Sequence, residues 1–305
     1  MDYPLPEGVH AVPKDQLDLR SDSEVDQDLM NPKPITDEKN VFFFWHSGFS
    51  TMHGYTKRNI RAWHRRFSIQ GWAIRVLDRV ASSPLNVANF LDVHDPGTFP
   101  RAFVDGTIGG EYAPQHTSDL VRLPLLVKYG GVYADVGLMQ IGDLDRLWSQ
   151  TIGNADSPFE VLSYNMGGVD GRSLTNYFLA SHKSNSLFER CHRLFLALFA
   201  ADGGKASTDG MHTDPLLKGT PLLMSGNSMS FEDNGKKYGP MKSAECFLTT
   251  SFKDRSLQWL WDSLTTKMAG MDQSTSQSMS TPSTTWQVRS SSTSSRIGMV
   301  TRHLS

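Results

Sequence analysis

The stretch from Ser118 to Asp145 restricts the fold more than any other part of the chain. It opens Ser118-Asp119-Leu120-Val121-Arg122, continues through Leu123 to Lys128, and then reads Tyr129-Gly130-Gly131-Val132-Tyr133-Ala134-Asp135-Val136-Gly137. Leu120, Leu123 and Val127 recur at helical spacing and supply an apolar face. Thr117 or Ser118 can cap the helix start, which puts Asp119 in a first turn where the dipole favours an anion. Gly130 suits a left-handed stop. Val132-Tyr133-Ala134 reads as a short buried strand with Asp135 at its exit. Pro124 conflicts with a regular helix, because it removes one backbone bond, and a kink is expected.

Upstream, Val41-Phe42-Phe43-Phe44-Trp45 is a continuous apolar run of the kind that a parallel strand buried on both faces requires. His46-Ser47-Gly48 ends it. Thr56–Phe67 reads as a helix with Lys57, Arg58, Arg61, Arg65 and Arg66 on a basic, solvated face. Trp72–Asp78 follows as a strand. Strand, helix, strand makes a βαβ unit and implies a parallel sheet. The strands near Phe42, Ile74 and Val132 are therefore expected in one α/β sheet, mixed and mainly parallel. Asp135 should stand at its carboxyl edge, where ligands of such sheets bind.

Ser-Asp-Leu-Val-Arg followed by Tyr-Gly-Gly-Val-Tyr-x-Asp resembles glycosyltransferases with an Asp-x-Asp sugar-binding region, in particular capsular-polysaccharide-synthesis-type proteins and their fungal members. The resemblance runs from about Val41 to about Leu223 and implies a GT-A-type nucleotide-sugar-binding domain. It implies an enzyme that moves a sugar from a nucleotide-diphosphate donor to an acceptor such as a glycan, lipid, protein or small metabolite. These families mostly retain anomeric configuration. Asp135 is implied as the catalytic and metal-ligating acid, holding Mn²⁺ or Mg²⁺ against the diphosphate. The second acid of the pattern is replaced by Gly137, which leaves metal dependence open. Asp119 and Arg122 correspond to residues that contact donor hydroxyls, with a plain i,i+3 ion pair as the structural alternative. Trp45 corresponds to the residue beside the base, or is core. Tyr133 and Asn176 fall near the donor. Asn165 is a weaker candidate. His212 is either a metal ligand, an acceptor contact or a loop histidine. The alternative reading is an inactive or truncated relative that binds nucleotide sugars or serves in interaction only.

Residues 1–40, rich in proline and acid, read as an irregular arm, and 41–224 as the transferase-like domain. Asp143 is placed to cap a helix to Trp148. Phe159–Ser163 suits a strand, Leu174–Ser181 a helix, and Leu187–Ala201 a helix ended by Asp202-Gly203-Gly204. Residues 225–272 form a divergent part in which Phe252–Met268 has helical spacing. Residues 273–305 are dominated by Ser and Thr and are expected to lack order.

Composition removes other classes. The 305 residues are 38% hydrophobic and 20% charged, with formal net charge −2, so nothing draws the chain to nucleic acid. Cys191 and Cys246 form no disulfide framework or metal spacing and read as reduced thiols. No signal peptide, apolar run of bilayer length or Asn-x-Ser/Thr sequon is present, which favours the cytoplasm. No phosphate loop, Gly-x-Ser-x-Gly elbow, His-Glu-x-x-His pair or dinucleotide fingerprint occurs.

Overall fold

The computed structural model describes residues 11–110, 112–139, 142–165, 174–208, 210–211 and 214–217, and the short strands 222–224, 227–229 and 296–299. The chain order is α1 (Asp22–Met30), β1 (Asn40–Phe44), α2 (Gly54–Phe67), β2 (Ala73–Leu77), α3 (Arg101–Val104) and α4 (Ala113–Tyr129). Then come β3 (Gly131–Ala134), α5 (Leu144–Gln150), β4 (Phe159–Asn165), β5 (Leu174–Ser181) and α6 (Ser186–Ala200). Strands β6 (Leu222–Met224) and β7 (Asn227–Met229) pair with each other, and β8 (Arg296–Met299) lies beyond them in sequence.

The main sheet has the order β2-β1-β3-β5-β4-β8. Strand β1 runs parallel to both β2 and β3, β5 is antiparallel to β3 and β4, and β8 is parallel to β4. The apolar run of β1 explains its interior position between β2 and β3. Phe42 and Phe44 enter one core with α4 and α6, while Val41 and Phe43 enter a second core with α2. A strand buried on both faces must have helices on both, and the period-2 alternation divides its side chains between them. Strand β3 does the same, with Tyr133 on the α4 side and Val132 and Ala134 on the other. The sheet expected through Phe42, Ile74 and Val132 is therefore present, with Asp135 at the carboxyl end of β3.

Several expectations are corrected. Leu174–Ser181 is strand, not helix, and sits between β3 and β4. Its run of Tyr177, Phe178, Leu179 and Ala180 is apolar toward both layers, and such a run carries no period that separates strand from helix. The arm 1–40 is not irregular throughout. Ser21 and Glu24 form a capping box that starts α1, and Val25 and Leu29 are fully buried. The basic face of α2 is not simply solvated. Arg61 binds Asp22 and Asp26, and Arg65 binds Asp22, so the acids of α1 lie on that face. Helix α4 begins at Ala113, with Pro114 in its first turn, so Asp119 lies in the helix body. Pro124 is tolerated within α4, fully packed by its neighbours. Strand β8 comes from the Ser/Thr-rich stretch expected to lack order. Edge pairing through backbone bonds does not need a large apolar surface. His212, Cys246 and Phe252–Met268 lie outside the described residues.

The turn from α4 to β3 depends on its two glycines. Gly130 has φ +65° and Gly131 φ +87°. A Cβ on Gly131 would stand 2.6 Å from the Asn40 carbonyl oxygen and 2.7 Å from that of Glu38, and one on Gly130 would stand 2.6 Å from the Lys183 nitrogen. All three contacts are to backbone, which cannot step aside. The left-handed penalty of about 1–2 kcal/mol adds to that clash. Gly131→Ala is expected to lose at least about 2 kcal/mol in urea unfolding, since strain and clash act together. A loss under about 0.5 kcal/mol, the size of an ordinary surface change, would contradict this packing.

Candidate active site

Helix α4 carries Asp119 and Arg122 one turn apart, 3% and 4% exposed. One Arg122 Nη lies 2.5 Å from Asp119 Oδ1 and 3.7 Å from Asp135 Oδ1. The same guanidinium donates to the backbone oxygen of Asn176 on β5 and, at 3.3 Å, to the Ser118 hydroxyl. It also lies 5.0 Å over the Tyr133 ring, whose hydroxyl shares a 2.6 Å hydrogen bond with Ser118. Arg122 thus joins α4, β3 and β5 at the carboxyl end of β3. A planar cation with five donors suits that task; a lysine would meet fewer partners.

Asp135 leaves β3 with its amide donating to the Tyr177 carbonyl at 2.9 Å. Its side chain is 35% exposed, against 3% for Asp119. Burial pushes both carboxyls above the ordinary 3.8, opposed by the Arg122 charge, and the neighbouring Asp119 carboxylate raises Asp135 further. Burial likewise pushes the Tyr133 phenol upward. Two carboxylates against one guanidinium leave a local surplus of negative charge at the open end of the cluster.

Other polar groups stay without bonds. Neither Asp119 oxygen receives an aligned hydrogen bond despite the close ion pair, and the side-chain amide of Asn176, 1% exposed, has no partner for its oxygen or nitrogen. Buried polar atoms without partners are costly. They are understandable where a bound ligand supplies the missing groups.

Asp119, Arg122, Tyr133, Asp135 and Asn176 are therefore together. Trp45 follows β1, the neighbour of β3. Continuing the register of Phe42 beside Tyr133 puts Phe44 level with Asp135 and Trp45 just past it. Trp45 is half-buried against the second core, its ring edge-on to His53 at 5.7 Å and its buried indole nitrogen unbonded. Neither His212 nor the Asn165 side chain is among the described residues. Ser118 was read only as a cap; its spacing of four from Arg122 was the signal for a shared face.

Among the described residues no three His, Cys, Asp or Glu side chains gather to hold a metal ion. Gly137 is exposed and offers no ligand. One half-exposed carboxylate with surplus negative charge fits a cation whose remaining ligands are substrate oxygens and water, as Mg²⁺ sites commonly are. A separate cleft opens elsewhere among the described residues. Its 580 Å³ lie between Leu17–Arg20, Asn31–Lys33 and Ala73–Arg75, and Arg20 already pairs with both its acids, Asp18 and Asp28. The chemistry-bearing residues around Arg122 outweigh that volume.

The profile described as "Capsular polysaccharide synthesis protein" matches residues 9–203. An O-glycosyltransferase, braB, of Annulohypoxylon truncatum is 34% identical over 220 residues, 72% of this chain and 51% of the relative. A probable glycosyltransferase, FCK3, of Fusarium pseudograminearum (strain CS3096) is 36% identical over 201 residues, 66% of this chain and 48% of the relative. The chain thus spans about half the length of the curated relatives it matches. Among solved structures, the PaToxG glycosyltransferase aligns over 81% of this chain and 80% of that one, at 14% identity and a TM-score of 0.39, a likeness too loose to argue from. No described helix is long and apolar enough to cross a membrane.

The raised Asp135 carboxyl has a consequence for stability. A folded-state value above 3.8 means the fold prefers the protonated acid. Ionisation therefore removes stability as pH rises from the unfolded value through the folded one. Asp135→Asn, in the presence of a chelator, is expected to melt no lower than the parent at pH 7. Its advantage should shrink as pH falls toward 4. An Asn variant that melts well below the parent at pH 7 would show instead that the charge holds the fold.

Proposed function

The chain belongs to the capsular polysaccharide synthesis protein family, and from that premise we propose that it transfers a sugar from a nucleotide-diphosphate-sugar donor to an acceptor hydroxyl. The observation that carries this reading is the buried Asp119–Arg122 pair beside half-exposed Asp135 at the carboxyl end of parallel strands. That edge is where α/β sheets of this kind take nucleotides. The word "O-glycosyltransferase" in the name of the Annulohypoxylon relative supports an oxygen acceptor, whether on a glycan, a lipid or a small metabolite.

In this reading the domain is of the GT-A type and anomeric configuration is retained. Asp119 and Arg122 bind hydroxyls of the donor, and the unbonded Asn176 amide is a further contact for the transferred sugar. Trp45 packs beside the base. Asp135 is the residue that would hold Mn²⁺ or Mg²⁺. When bound, such a cation offsets diphosphate charge as the bond to the sugar breaks. Arg122 tempers the charge of the Asp135 carboxylate, and the Tyr133 phenol, held neutral by its raised pKa, binds Ser118 and supports the guanidinium face. A second reading, nucleotide-sugar binding without transfer, is favoured by Gly137 in place of a second acid.

Purified protein incubated with a panel of UDP- and GDP-hexoses, with and without Mn²⁺, tests both. Donor hydrolysis or transfer is expected for at least one donor. Asp135→Asn should lower kcat by about 100-fold or more while retaining the fold, because several kcal/mol of charge stabilisation is lost. Asp119→Asn should act mainly on donor KM. Parent-like turnover by Asp135→Asn would reduce Asp135 to a turn residue. Binding of donor without any turnover would establish the second reading.

A further inference from the structure

The turn that carries Asp135 has little of its own to hold it. Asp135, Val136, Gly137 and Leu138 form a tight turn closed by the Leu138 amide donating to the Asp135 carbonyl at 2.9 Å. Gly137 stands exposed, and an added Cβ there would meet nothing within 4 Å. A glycine with open space where a side chain would stand has no packing of its own to fix the backbone. Among the described residues, the Asp135 carboxylate has Arg122 as its side-chain partner, at a loose 3.7 Å. Its position therefore depends on the backbone of the turn.

That backbone is gripped from outside. The β5 side holds the start, through the Asp135 amide and Tyr177. The far side is held by α2. Asn59 Nδ2 donates to the Val136 carbonyl at 2.7 Å and to the Leu138 carbonyl at 2.9 Å. Trp63 Nε1 donates to the same Leu138 carbonyl at 2.9 Å. Asn59 and Trp63 are four residues apart, hence on one face of α2. Trp63 is 2% exposed and packs edge-on to Phe43 at 5.2 Å, so this face is fixed to the sheet. The side-chain type matters. An amide nitrogen carries two hydrogens and can serve two carbonyls at once; a carboxylate has none and would repel both.

We propose that Asn59, backed by Trp63, is the positioning residue for Asp135, setting where the carboxylate stands by clamping both carbonyls of the turn that follows it. The kinetic side of this proposal rests on the transferase reading; the structural side does not. Misplacement of a reacting group by about 1 Å costs on the order of 100-fold in rate. A clamp around a single acid, with no second acid at Gly137, transmits any slack straight to the site.

The test compares the parent with Asn59→Asp, Asn59→Ala and Asn59→Gln by hydrogen–deuterium exchange and by donor turnover with UDP- and GDP-hexoses in Mn²⁺. In the Asp and Ala variants the segment 135–139 should exchange about ten-fold faster or more, while the rest of β1, β2 and α2 keeps parent protection. kcat should fall about 10- to 100-fold, with donor KM within about three-fold. Asn59→Gln, which keeps the two hydrogens, should recover part of kcat. A merely structural role would lower protection across α2 and melt the protein without a kcat–KM split. Parent-like exchange at 135–139 in both the Asp and Ala variants overturns the proposal, as does parent-like kcat alongside it. If the parent turns over no donor, the transferase reading fails, and exchange at 135–139 alone decides whether Asn59 clamps the turn.

Discussion

A guanidinium buried between a helix and two strands is the constraint that the rest of this structure serves. Arg122 is removed from water almost entirely, with Asp119 against it and carbonyl, hydroxyl and aromatic partners around it. Buried ion pairs rarely add stability over an apolar packing of equal volume, and losing one partner costs about 3–5 kcal/mol. A pair so placed, with Asp119 oxygens and the Asn176 amide still short of aligned hydrogen bonds, is better understood as a preformed polar surface than as a fastening. Its position follows from the α4–β3 turn. Gly130 and Gly131 let β3 pass within backbone contact of Asn40 and Glu38, and that approach sets the height of Tyr133 and Asp135 against α4.

How much of this was legible in the sequence varies with the physics of each segment. Val41–Trp45, Trp72–Asp78 and Val132–Ala134 were readable because a strand covered on both faces must be apolar along its length. Asp135 was readable because an acid ends one such run. Leu174–Ser181 was not, because the same continuous apolar character is shared by buried helix and buried strand, and only its neighbours β3 and β4 decide. The Ser21–Glu24 capping box was present in the text of the chain, yet the surrounding prolines and acids hid it. The arginines of α2 read as a solvated face because their partners, Asp22 and Asp26, lie across a loop and a strand in sequence.

The site shows the same division. Asp119 with Arg122 and Asp135 with Tyr133 are local pairs, recognisable from spacing and pattern. Their convergence on one guanidinium is not local, since Asn176 belongs to the misread β5. Asn59 illustrates the limit. An asparagine in the middle of a basic amphipathic helix carries no mark of function until the fold brings the 136 and 138 carbonyls onto it.

These placements together make the charge balance at the sheet edge asymmetric in depth. Asp119 is sealed in with Arg122, so their charges largely answer each other below the surface. Asp135, above them and 35% exposed, faces outward with its carboxyl pushed up by burial and by Asp119, and only partly relieved by Arg122. Adding a second acid at Gly137 would have increased that repulsion and called for a firmly held cation. With glycine there, the repulsion is smaller and the turn is freer, so order has to come from the backbone bonds to Tyr177 on one side and α2 on the other. Reduced charge and external clamping are thus two sides of one arrangement. A site with one outward carboxylate can tolerate periods without a counter-cation, provided that the carboxylate is kept in place by something other than charge.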